Sequence, residues 1–507
     1  MFRTPFYSLK GVVASESPLA SAIGVRVLES GGNAVDASVA TSLALSVTLP
    51  HLGGLGGDFF ALVKDLNGNV VFVNGSGYAP SRMSIEHLKT LGLSEVPVEG
   101  PLSAVVPGMI DGLRVMWSKF GTLEWSKLVD LVIRSVKEGF PITPSLATAL
   151  NNLKVSLLRD EGSRRTYFAA TQFYMSGDLV RFDGMVRTLE AIRENPRNFY
   201  DGDVALKISE YVRSLGGLIS YEDMHSFKAE LGEPIRLQFD GMTIYEMPPN
   251  TQGVTTLHLL KLLRNADTGS STSIRRLTAY LRAFETAYRI RDTYVGDPRC
   301  MSVSVDHLLS DEFLNNAVGG KSLKPRGEGD TTYFTVVDKE GLVVSGIQSL
   351  FYPFGSKVTE PTYGITLNCR ASSFNLMPGH PNSLAPLKKP LHTLSAMIIV
   401  TEKKEMTLGL SGGHFRPQLH AEIFENIFGH KMSPQEAIEH PRFIWHPGTQ
   451  IIELEEGFEE GEVGGYSLRK TKYPSRLGVA AAAEVFGSRV KAGYVDIRGD
   501  GLALGPV

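Results

Sequence analysis

The sequence predicts an α+β fold, with helices packed beside antiparallel sheet. Two helical repeats fill the first fifty residues, a strand–turn–strand unit follows at 59–74, and a second such unit begins at Thr331. Ser17-Pro18 reads as an N-cap and first helical position: the serine hydroxyl accepts an orphan N–H, and proline has none to lose. Leu19, Ala22, Ile23 and Val27 then share one face, and Gly31-Gly32 end the helix. In the next helix Val35, Val39, Leu43 and Val47 recur every four residues until Pro50. These two helices are expected to stack as one layer. Residues 59–64 and 70–74 are β-favouring runs on either side of the turn Asp65-Leu66-Asn67-Gly68.

Residues 105–330 read as mainly helical, with loops at 141–144, 216–217 and 247–249 and a charged helix over 273–294. The stretch 319–330, GGKSLKPRGEGD, has the composition of a linker: glycine, proline and alternating charge without apolar periodicity. A boundary is expected there. Directly after it Tyr333, Thr335 and Val337 alternate with Phe334 and Val336, Lys339-Glu340-Gly341 turns the chain, and residues 342–349 return as the second strand of a hairpin. Residues 396–400 and 406–410 form another strand pair. Ser411-Gly412-Gly413 then leads into a helix carrying Leu419, Ile423 and Ile427, and closing strands are expected around 498–501.

Composition narrows the function. A chain of 507 residues, 42% hydrophobic, can bury a sizeable core, while 51 basic against 54 acidic residues leave a net charge of -3. That balance offers no electrostatic footprint for nucleic acid or an anionic membrane, so the expected partner is a small molecule. No apolar run reaches the ~20 residues of a membrane span, and the first residues lack the features of a secretory signal, so a cytoplasmic location is expected. Cys300 and Cys369 are too few for a disulfide framework and read as small buried hydrophobes. His414 with His420, and His440 with His446, are six apart rather than the four that puts two ligands on one helix face. In Gly53-Gly54-Leu55-Gly56-Gly57 the dinucleotide fingerprint fails, because Phe59 and Phe60 stand where its last glycine would fall. Neither a metal nor a cofactor is called for.

One hydrolase signal stands out. Residues 409–413, GLSGG, satisfy G-x-S-x-G between an expected strand and an expected helix, which makes Ser411 a candidate nucleophile. A triad would then need an acid and a later histidine, but Asp496 and Asp500 both follow His446, the last histidine, so a glutamate such as Glu436 would have to substitute. Alternatively the same glycines form an oxyanion hole, because backbone N–H groups at a helix start are unpaired and favour negative charge. The nucleophile then comes from the Asp330-Thr331 junction. A threonine at a newly cut N-terminus carries its own base, an α-amine of reference pKa ~7.7–8.0.

The run Thr331-Thr332-Tyr333-Phe334-Thr335-Val336-Val337-Asp338 resembles the start of the small subunit in γ-glutamyltransferases, N-terminal-nucleophile hydrolases that cleave themselves before that threonine. Asn33-Ala34-Val35-Asp36-Ala37, the glycine run up to Asp58, Val106-Pro107-Gly108, Met247-Pro248-Pro249, Gly296-Asp297-Pro298 and Gly412-Gly413 fall in the same family order. The resemblance implies a four-layer αββα sandwich, with residues 1–330 as the large-subunit region and 331–507 as the small-subunit region, the two cleaved fragments staying associated as one intertwined domain. It implies that Thr331 is the nucleophile for self-cleavage and catalysis, that Ser349 replaces a threonine bonded to the nucleophile's amine, and that Gly412 and Gly413 hold the oxyanion. At the substrate positions the chain departs from the family. Ser76 stands for the arginine that grips the donor's α-carboxylate, Ser373 for the aspartate on its ammonium, Phe351 for an asparagine, Arg370 for a glutamine or glutamate, and His392-Thr393 for a serine pair. The chemistry is therefore expected to be kept while the donor changes. Arg370 is expected either to face the place of the donor's ammonium or to turn to solvent or Glu360. A family member that has lost turnover and serves as a scaffold is the alternative, and a serine hydrolase using Ser411 the third reading.

Overall fold

Ser17 accepts the N–H of Ala20 at the head of helix Pro18–Glu29, as the Ser-Pro pair predicts. Asn33 and Asp36 form a reciprocal capping box on helix Ala34–Thr48, which is buried on every side and lies directly against the first helix. The computed structural model describes residues 3–316, 322–324, 329–487 and 489–507. Much of the linker, residues 319–321 and 325–328, lies outside the described residues.

Two seven-stranded sheets form the centre. The first runs Leu502–Leu504, Gly11–Ser15, Asp330–Asp338, Val343–Phe351, Asp58–Lys64, Val70–Gly75, Glu230–Gly232. The second runs Phe6–Ser8, Val490–Val495, Ala480–Phe486, Lys404–Leu410, Met397–Val400, Met242–Glu246, Ile235–Phe239. All pairings within both are antiparallel. Each sheet is built from strands on both sides of position 330, so neither segment can complete a sheet alone.

Three apolar layers separate the two sheets and their helices. Tyr333, Val337, Ile347 and Ile398 meet Ala481 and Ala483 between the sheets. Phe334, Val336 and Val344 face the helices Pro18–Glu29 and Ala34–Thr48 on one outside, and Met397, Leu408 and Leu410 face Gly253–Leu263, Ile274–Tyr294 and Arg416–Phe428 on the other. Covered on both faces, the hairpin strand from Asp330 is buried at every position after the first rather than at alternate ones. This is the αββα sandwich.

Three expectations need correction. The stretch read as mainly helical also holds Glu230–Gly232, Ile235–Phe239 and Met242–Glu246; the first is a three-residue exposed edge strand, and the alternation of Ile235, Leu237 and Phe239 in the second is only five residues long. Around 498–501 the chain turns between strands Val490–Val495 and Leu502–Leu504, and buried Arg498 pairs there with Glu455 and Asp496. Cys369 is buried as expected, but Cys300 ends a short surface 3-10 turn and is exposed.

Candidate active site

The hairpin places Thr331 beside Ser349, 18 positions later. Asp330 pairs with Phe351 and Thr332 with Gln348, so the register slips by a bulge at Thr331, which aims its side chain out of the regular ladder. Thr331 and Ser349 are both buried. Thr331 Oγ1 lies 2.6 Å from the carbonyl oxygen of Asp330 and 3.2 Å from Ser349 Oγ, which itself donates to that carbonyl at 2.8 Å. Two hydroxyls, those of Thr331 and Ser349, thus converge on the Asp330 carbonyl. The Thr331 N–H donates at 2.9 Å to Oδ1 of Asp330.

Behind Ser349 lies a buried charge relay. Arg370 is fully enclosed: it donates to Thr393 Oγ1 at 3.0 Å and to Ser349 Oγ at 3.4 Å, and its guanidinium lies 4.0 Å from the Phe351 ring centre. Its countercharge is Asp58, opposite Ser349 in the next strand, with an Nε–Oδ2 distance of 3.5 Å. The same carboxylate accepts from His392 Nε2 at 2.9 Å and from the Gly77 N–H at 3.0 Å. His392 Nδ1 accepts the Leu394 N–H, so the proton sits on Nε2. Burial, reinforced by Arg370, pushes the His392 imidazole down to about 3. Burial alone would raise Asp58, but His392 and Arg370 together outweigh it and hold the carboxyl below its ordinary value. Arg370 therefore neither faces solvent nor meets Glu360, whose carboxylate caps Thr362 and Tyr363. Phe351 adopts φ +85°, a left-handed conformation that a bulky side chain tolerates poorly and asparagine better.

Gly412 and Gly413 occupy φ +128° and +50° at the head of the turn into helix Arg416–Phe428. A Cβ on Gly413 would lie 2.8 Å from the backbone of Gly329, so the chain leading to the Asp330–Thr331 bond crosses directly over this glycine. Gln252 secures the turn, donating to the Gly413 and Thr393 carbonyls at 2.8 Å each. Gly413→Ala adds both the collision and left-handed strain, and we expect it to slow self-cleavage by roughly a hundredfold. Following the uncut fraction by intact mass checks this. Ser411 Oγ instead accepts the Val479 N–H at 2.8 Å, and its strand lies in an antiparallel sheet, unlike a nucleophile elbow. The motif's first glycine, Gly409, makes room for the Tyr333 ring, which a Cβ there would meet at 2.1 Å.

Two cavities flank the junction. One, about 290 Å³, is lined by Asp330, Gly412, Phe415 and Arg476; the other, about 400 Å³, by Phe351, Ser373, Arg291 and His414. Ser373 donates to the Leu391 carbonyl at 2.8 Å. Ser76 is buried off both cavities, holding Asn250 at 3.0 Å, and His392 and Thr393 line neither. Sequence reasoning missed Asp58, Gln252 and Arg416. Arg416 Nε donates to the Leu410 carbonyl at 2.6 Å, while its two terminal nitrogens are buried without a hydrogen-bond partner among the described residues. Burial, then the nearby Arg370, pushes its guanidinium down to about 9.

The family model for gamma-glutamyltranspeptidase matches residues 20–505. The chain belongs to the gamma-glutamyltranspeptidase family. It is 32% identical to a glutathione hydrolase-like proenzyme, YwrD, of Bacillus subtilis strain 168, covering 98% of each chain. It is 30% identical to the oxamate amidohydrolase proenzyme of Klebsiella pneumoniae, covering 98% of this chain and 99% of that one. The crystal structure of a cephalosporin acylase from Bacillus halodurans matches with a TM-score of 0.91 at 30% identity, over 100% of this chain and 97% of that one. As a member of the gamma-glutamyltranspeptidase family with this fold, the chain is an enzyme of the amidohydrolase and acyltransferase type.

Proposed function

We propose that Thr331 is the nucleophile of a self-processing amidohydrolase or acyltransferase whose donor is a dicarboxylic monoamide lacking the α-amine of a γ-glutamyl group. The contact of the Thr331 hydroxyl with the preceding carbonyl, shared with Ser349, carries the reading. In self-cleavage Oγ adds to the Asp330 carbonyl carbon and gives up its proton. The C–N bond breaks, and the nitrogen leaves as the Thr331 α-amine with that proton. Water then splits the ester into the Asp330 carboxylate and the free hydroxyl. In turnover the amine takes the Oγ proton and returns it to the leaving group, Gly412 and Gly413 N–H groups hold the oxyanion, and water or an amine resolves the acyl-enzyme.

The donor follows from charge. Ser76 and Ser373 supply no ionic grip for a zwitterion, whereas three arginines, Arg291, Arg370 and Arg416, stand against the two paired carboxylates Asp292 and Asp58 and join burial in lowering His414 well below an ordinary histidine. Such a field repels an ammonium and attracts a carboxylate. A relative named for oxamate, the monoamide of a diacid without an α-amine, fits the same class. On processed enzyme, a glutaryl p-nitroanilide is expected to exceed its γ-glutamyl counterpart in kcat/KM, with Arg370→Ala narrowing the gap. A γ-glutamyl compound better by about tenfold or more would overturn the donor assignment.

A further inference from the structure

We infer that Arg476 is the carboxylate clamp of the processed enzyme and that the Asp330 side chain occupies its place in the uncut chain. The inference rests on the dicarboxylic-donor reading and gives it a residue and a chain length. Arg476 lines the same 290 Å³ cavity as Gly412 and Asp330, and its guanidinium lies 3.6 Å from Asp330 Oδ2. The same guanidinium nitrogen meets Glu16 Oε1 at 3.3 Å. Burial pushes the Glu16 carboxyl up to about 8 against the pull of Arg476. With Asp330 still attached, the cation is paired; once the bond is cut and that end moves off, Arg476 faces the cavity beside the nucleophile.

Carbon counting then sets the donor. The same Thr331 hydroxyl attacks the Asp330 carbonyl in processing and the donor carbonyl in turnover. From the Asp330 carbonyl carbon, Cα and Cβ lead to the carboxylate that meets Arg476. A donor with that skeleton is a four-carbon diacid, the succinyl group, one methylene shorter than glutaryl. Arginine suits the task because its planar fork meets a carboxylate with two parallel donors. Phe415 and Leu419 in the same cavity give the methylenes an apolar wall.

The test compares succinyl, glutaryl and butyryl p-nitroanilides on processed wild-type and Arg476→Ala enzyme. Wild type should favour succinyl over butyryl by about tenfold or more in kcat/KM, and Arg476→Ala should erase that preference mainly through the succinyl KM. If wild type favours neither diacid over butyryl, the dicarboxylic reading itself fails. A diacid preference that survives intact in Arg476→Ala overturns the Arg476 assignment alone, and a glutaryl compound better than succinyl overturns the chain length. Should Arg476→Ala fail to process, phenylglyoxal labelling of processed wild type, mapped by peptide mass, decides the matter. Succinate should shield Arg476 where butyrate does not, and equal labelling with both refutes the clamp.

Discussion

Purified wild-type protein, held at neutral pH and weighed intact, is expected to give two chains, residues 1–330 and 331–507, whereas Thr331→Ala keeps the mass of the single 507-residue chain. The expected effect is all-or-none, because the substitution deletes the one atom that forms the new bond. Thr331→Ser keeps a hydroxyl at the same place and should still divide. Two hydroxyls already converge on the Asp330 carbonyl, at 2.6 Å from Thr331 and 2.8 Å from Ser349, so the reacting groups start within contact distance. A wild-type chain that stays whole after long incubation would favour the scaffold reading. Loss of activity in Ser411→Ala with a harmless Thr331→Ala would favour the serine hydrolase.

What the sequence made legible was local. The cap at Ser17-Pro18, the hairpin after the linker and the glycine pair before a helix are written in neighbouring residues, and Thr331 meets Ser349 because a short hairpin with one bulge brings them together. What stayed hidden depends on distant partners. Asp58 looked like the end of a glycine run, yet its role is set by Arg370 and by His392, 334 positions later. Read from the sequence, Arg370 falls near the donor, in solvent or beside Glu360, because nothing around it in the chain signals that Phe351, Thr393 and Ser349 enclose it. Arg476 sits in a stretch with no motif and gains its meaning only from the Asp330 side chain beside it. The G-x-S-x-G signal was real as a pattern and different in cause: Gly409 clears Tyr333 and Gly413 clears Gly329.

Asp58→Ala is expected to destabilise the protein by about 3–5 kcal/mol, because it strands a buried arginine whose countercharge has been removed. The carboxylate is wholly enclosed and serves three groups at once, the Arg370 guanidinium, the His392 ring and the Gly77 N–H. Arg370 in turn holds Ser349 Oγ, so the same substitution loosens the group that donates to the Asp330 carbonyl. Asp58→Asn keeps the shape and an acceptor oxygen but loses the charge, and should fold better than Asp58→Ala while still processing slowly. Denaturant unfolding is best followed with Thr331→Ala as the common background, so that every variant unfolds as one chain. Acid adds a second signature. His392 is held at about 3 when folded against ~6.5 when unfolded, so the unfolded chain takes up a proton that the native one refuses. That share of stability is complete above pH ~6.5 and is lost as pH falls towards 3, and Asp58, also depressed, extends the loss to pH values below the unfolded carboxyl at ~3.9. An Asp58→Ala protein within about 1 kcal/mol of its parent would mean that Arg370 finds its compensation elsewhere, and that Asp58 does not hold the relay behind Ser349.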